Sequence, residues 1–153
     1  MSKRKYAELI IAILLLVPIK VAAEDLTKQI AARTELHSIS SLTISDEQFL
    51  KGDDNGKPVT LTAQLRIAQG QGRLPVVVMA HGSGGMGSNV DFWTRQLNGI
   101  GISTFALDAF TGRGLTSVSN DQALLGRLNM ILDVTGCSMS WRSTRESMGK
   151  ELL

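Results

Sequence analysis

From Val59 to Ile67 the chain alternates strictly. Val59, Leu61, Ala63, Leu65 and Ile67 fall on one face, and Thr60, Thr62, Gln64 and Arg66 on the other. That period of two predicts a strand with one wet face. The pattern changes at Leu74–Ala80 (LPVVVMA), where a run of apolar residues rich in β-branched side chains follows Pro75. Such a run predicts a strand buried on both faces, as in a parallel sheet. The glycine-rich turn Gln69–Gly72 joins the two, which predicts a hairpin and places the N-terminal strands antiparallel to the buried one. Further on, Ser88-Asn89-Val90-Asp91 reads as a capping box, and Trp93, Leu97 and Ile100 fall at i, i+4 and i+7. A helix is expected there, ended by Gly99 and Gly101. Ile102–Leu107 predicts another buried strand, ending at Asp108. Strand, helix and strand make a right-handed parallel βαβ unit.

The flanks are less regular. Ile39, Leu42 and Ile44 among serines and threonines give weak strand character, and Lys51–Pro58 (KGDDNGKP) is a turn by composition. His37 is expected on a surface loop or strand edge. A second helix is predicted over 120–134, capped by Ser119 or Asn120, with Leu124, Leu128, Ile131 and Leu132 inside and Arg127 outside. From Thr135 no period is sustained: TGCSMSWRSTRESMGKELL predicts a disordered tail with an exposed Trp141 and a free Cys137. The fold class is therefore α/β, a mixed sheet with antiparallel N-terminal strands and one parallel βαβ unit.

Composition narrows the setting. A chain of 153 residues makes one modest domain, and 43% hydrophobic with 20% charged residues excludes default disorder. Lys3-Arg4-Lys5, the apolar Leu9–Ile19 and the small residues Val21-Ala22-Ala23 form a signal peptide over residues 1–23, with cleavage expected after Ala23. The apolar run is shorter than the roughly 20 residues that span a bilayer; an uncleaved anchor is the alternative. Export, to a bacterial periplasm, is the expected localisation, with the membrane met only through this signal. The leader also explains the basic balance. The whole chain is +2 and residues 1–23 are +3, leaving −1 over residues 24–153. A nucleic-acid footprint is absent from that part. With Cys137 the only cysteine, no intrachain disulfide forms.

The candidate chemistry lies in His81-Gly82-Ser83-Gly84-Gly85, directly after the buried strand. Ligands of open α/β sheets sit beyond the carboxyl ends of parallel strands, so this turn and the loop Asp108–Gly114 are expected to face one crevice lined by Asp108 and Arg113. A phosphate cradle is disfavoured: Gly82-x-Gly84 runs into Met86 and Gly87, which breaks the dinucleotide spacing, and no P-loop motif occurs. The other use of such a turn is an oxyanion hole, with the Ser83 and Gly84 amides as donors. A tight turn with no ligand is the bland alternative. No cofactor or metal is expected; a small ester or carboxylate is.

PVVVMAHGSGG, the helix around Asp91-Phe92-Trp93 and Leu97-Asn98-Gly99-Ile100-Gly101, and the D-x-F-x-G-R-G loop 108–114 resemble the N-terminal half of the dienelactone hydrolase family of the α/β-hydrolase fold. The similarity covers roughly residues 40–134. It implies a partial α/β-hydrolase domain over 24–134, an oxyanion loop at His81, Gly82, Ser83 and Gly84, and ester or lactone hydrolysis by a Ser or Cys nucleophile with Asp and His. By this analogy His81 supports the loop and is not the base. The family's G-x-[SC]-x-G elbow and its later Asp and His have no counterpart. The two histidines, His37 and His81, both precede the elbow's place. The nearest match, Gly136-Cys137-Ser138-Met139-Ser140, makes Ser138 a weak candidate nucleophile and lacks the final glycine. The change at Thr135 reads as a frameshift or premature end, leaving an inactive front half. The alternatives are an exported non-catalytic ligand-binding protein and one completed by a partner chain.

Overall fold

A computed structural model describes residues 26–151. The expected signal peptide, residues 1–23, lies outside the described residues. The elements run β1 (Arg33–Thr43), α1 (Asp46–Lys51), β2 (Lys57–Ile67), β3 (Val76–Ala80), α2 (Ser88–Gly99), β4 (Ser103–Asp108) and α3 (Asn129–Glu151), with short 3-10 turns at Thr111–Arg113 and Gln122–Leu124. They build a mixed four-stranded sheet in the order β1-β2-β4-β3. β1 pairs with β2 and β2 with β4 antiparallel, while β3 and β4 are parallel. The α/β class, the mixed sheet and the parallel pair agree with the sequence pattern.

β2 behaves as its alternation predicts: Leu61, Ala63 and Leu65 are fully buried. β1 is longer than its weak pattern implied. Its inner face carries Glu35, His37, Ile39, Ser41 and Thr43, of which only Ile39 is apolar. His37 is half-buried there, with its ring edge-on to Phe105. α1 falls just before the predicted turn. Ser45 and Gln48 close a capping box over it, a signature present in the sequence and not used there.

Two expectations about the sheet are corrected. β2 and β3 form no hairpin, because β4 lies between them. The reason is burial. Ser103 to Leu107 are all buried, so β4 requires neighbours on both edges. β3, the strand expected to be buried on both faces, sits at the sheet edge with Val77 38% exposed.

The helices are corrected as well. α2 forms where predicted, but Gly87 and not Ser88 is its N-cap and no side chain caps it, so the expected capping box is absent; it buries Val90, Thr94 and Asn98, while Trp93 and Ile100 face solvent. Polar links choose that face: Asn98 Nδ2 donates to the carbonyls of Arg66 and Ile102, and the Thr94 and Thr104 hydroxyls meet at 3.4 Å. Residues 120–128 are not helical beyond their short turn, so the predicted helix starts nine residues late, at Asn129, and Leu124 and Ile131 are exposed. It then runs through Thr135 to Glu151, where a disordered tail was expected. Its inward positions are Asn129, Asp133 and Cys137, all fully buried at i, i+4 and i+8. That stripe holds two polar residues and a small one, which is why hydrophobic periodicity does not show it.

Cys137 thus belongs to the core with Ile39, Leu61, Ala63, Leu65, Phe105 and Leu107; Val134 and Trp141 pack against it. Trp141, expected to be exposed, lies 5.7 Å from the Phe105 ring. A second cluster, Ala109, Phe110, Val118 and Leu125, sits beneath the loops after β3 and β4. Among the described residues no helix is long and apolar enough to cross a membrane.

Candidate functional site

β3 and β4 run parallel, so the turn His81–Gly85 and the loop from Asp108 leave the same end of the sheet. His81 joins them. Its Nε2 accepts the Ala109 N–H at 3.1 Å and therefore carries no proton; its Nδ1 donates to the Gly82 carbonyl at 2.8 Å. The ring is 5% exposed and packs edge-on against Phe110, with centroids 4.4 Å apart. Both nitrogens are occupied by backbone groups, which leaves neither for proton transfer.

The rest of the turn is held by the loop 114–119. Gly85 adopts φ 79°, and a Cβ there would collide with the Thr116 carbonyl oxygen, so only glycine fits. Gly85 N–H donates to the Gly82 carbonyl at 3.0 Å, closing the turn. The Ser83 carbonyl accepts the Val118 N–H at 2.8 Å and the Ser117 hydroxyl at 3.1 Å. The Ser83 and Gly84 amides have no partner among the described residues, and both residues are exposed. Unpaired N–H groups on a fixed turn are donors available to an anion.

Beside the turn lies a cleft of about 170 Å³. Its lining includes His81, Gly82, Ser83, Phe110, Val118, Leu125, Arg127 and Met130. Arg127 is exposed at its side. Sequence reasoning placed Arg127 on the outer face of a helix and did not link it to the turn. The loop residues Ser117 and Val118 were also missed, because no local pattern marks a residue that bonds a carbonyl 34 positions away.

Asp108 and Arg113, expected to line the crevice, serve other ends. The Asp108 carboxylate caps its own turn. Oδ1 accepts the Phe110 and Thr111 amides at 2.9 and 3.0 Å, and Oδ2 accepts the Thr111 hydroxyl. Partial burial pushes its pKa up, but these hydrogen bonds outweigh that and hold it below the usual carboxylate range. Its contribution to stability is therefore present above that range and is lost as the pH falls through the lowered pKa. Arg113 turns away from the cleft towards β1 and α3. Its guanidinium donates to both Asp133 oxygens at 2.8 and 3.0 Å, to the carbonyls of Ala109 and Leu42, and to the Thr43 hydroxyl. Ser41 adds a 2.6 Å bond to Asp133.

Ser138 lies inside α3, where its hydroxyl donates to the Val134 carbonyl at 2.8 Å. It occupies no strand-to-helix elbow. The neighbouring Cys137 thiol is buried, and that burial, followed by the Asp133 charge, pushes its pKa up to about 11. A thiol of that kind is an inert core group. No group of three or more His, Cys, Asp or Glu able to hold a metal ion occurs among the described residues. Comparison with protein-family models, curated proteins and solved structures finds no match to the chain.

Proposed function

We propose that these 153 residues carry the front half of a hydrolase-type α/β domain similar to the dienelactone hydrolases, exported through the leader 1–23 and destined for the periplasm. In this reading His81–Gly84 is an oxyanion loop able to hold a small ester or carboxylate. The observation that carries it is the pair of unpartnered amides at Ser83 and Gly84, on a turn fixed from both sides at the carboxyl end of β3. Acyl transfer also needs a nucleophile within hydrogen-bond reach of a base. His81 is consumed by backbone groups, Ser138 bonds its own helix, and Cys137 is held protonated in the core. The chain is therefore inactive on its own. Its role is either to bind such a ligand without turnover or to contribute the loop to a site whose nucleophile comes from a partner chain.

Purified protein is expected to hydrolyse p-nitrophenyl acetate no faster than buffer. Turnover that disappears in Ser138→Ala would overturn the reading and restore Ser138 as a nucleophile. The export step has its own readout: mass spectrometry of the secreted protein should place the N-terminus at Glu24.

A further inference from the structure

The Ser83 carbonyl and the Gly84 N–H belong to one peptide group. In a trans peptide they share a plane and point in opposite directions, and no cis bond occurs among the described residues. Whatever fixes that carbonyl therefore aims that N–H. Two donors fix it, the Val118 amide and the Ser117 hydroxyl. The hydroxyl's own orientation is set in turn, because Ser117 Oγ accepts the Ser119 N–H at 3.1 Å and so directs its single proton to Ser83. The result is a relay of donors, Ser119 N–H to Ser117 O–H to Ser83 C=O, ending across the peptide at the free Gly84 N–H. Each hydrogen bond in such a chain polarises the next.

We propose that Ser117 is a positioning residue for the glycine turn: its hydroxyl fixes the Ser83–Gly84 peptide plane and strengthens the Gly84 N–H as a donor to a bound oxyanion or carboxylate. This rests on the oxyanion reading of the turn and adds to it a residue from a loop more than 30 positions away. Val118 holds the same carbonyl through its backbone, so loss of the Ser117 side chain leaves the loop attached. Ser117 is exposed, and its replacement opens no cavity.

The test is an acetate titration followed by amide proton and nitrogen NMR, at constant ionic strength, on the wild type, Ser117→Ala and Ser117→Thr. In the wild type, acetate should move the Gly84 amide proton downfield. In Ser117→Ala the ligand-free Gly84 proton should lie upfield, and acetate should bind about three- to tenfold more weakly, the loss of one modest hydrogen bond. Ser117→Thr keeps the hydroxyl and should restore both. If Ser117→Ala binds acetate like the wild type with its Gly84 resonance unmoved, the positioning role is overturned and the oxyanion reading stands. If acetate leaves Gly84 unmoved in the wild type, the oxyanion reading falls, and the positioning role falls with it.

Discussion

At the scale of single residues, the most consequential pair is Arg113 and Asp133. Their side chains are 5% and 0% exposed, and every polar contact of the guanidinium is to β1, the loop after β4 or α3. The Arg113–Asp133 pair tethers the first turns of α3 to the end of β1. Removing one partner strands the other charge away from water, whereas replacing both with apolar groups of similar size does not. Asp133→Ala is therefore expected to cost about 3–5 kcal/mol in urea unfolding followed by circular dichroism. That is a large share of the 5–15 kcal/mol typical of a domain. Arg113→Met combined with Asp133→Leu should recover most of the loss. Equal destabilisation by the single and the double variant would show that the site needs charge as such.

At the scale of elements, α3 is the part whose nature changed most between pattern and structure. Its inward stripe, Asn129, Asp133 and Cys137, fastens to the sheet by hydrogen bonds and by one buried thiol. Asn129 Oδ1 accepts the Ile44 N–H and its Nδ2 donates to the Leu42 carbonyl, both at distances below 3 Å. Because the break in hydrophobic pattern at Thr135 falls within a continuous helix, it marks no structural junction. Cys137 reports directly on this docking. Ellman's reagent at pH 8 should leave it unmodified in the native protein and modify it fully in urea. Fast native modification would mean that α3 is not seated on the core. Since the folded thiol titrates near 11 against 9.0 for a free one, its contribution to stability is complete below pH 9 and is lost as the pH rises towards 11.

At the scale of the whole molecule, the sheet has two unequal sides. β1 carries an exposed polar outer face, broken by Leu36, while β3 ends the other side with five apolar residues and no charge, proline or bulge. Unprotected apolar edges of this kind template pairing with other strands. Trp93 on the neighbouring α2 is more than half exposed and lines a groove with Val77 and Met79, which adds apolar surface on the same flank. The purified protein is expected to self-associate with rising concentration. Val77→Lys, at an exposed position of that edge, should suppress this in light scattering while costing no more than about 0.5 kcal/mol of stability, as for other exposed positions. Association unchanged by the lysine would place the contact elsewhere.

What the sequence determined by itself was local: the alternation that makes β2, the glycine and proline punctuation, the βαβ unit, and the glycine-rich turn at His81–Gly85, where the structure needs the missing Cβ at Gly85 alone. Each follows from one segment's own sterics and periodicity. Tertiary structure decided the rest. β4 displaced β3 from the centre because a wholly buried strand must be paired on both edges. α2 turned Thr94 and Asn98 inward because their partners lie on β2, on β4 and just before β4, and these are polar contacts that a hydrophobic period does not register. Arg113 left the expected crevice because a buried carboxylate on α3 offered both its oxygens. In each case the deciding contact is to another element of the fold, and burial, a hydrogen bond or an ion pair to it outweighs the local hydrophobic pattern.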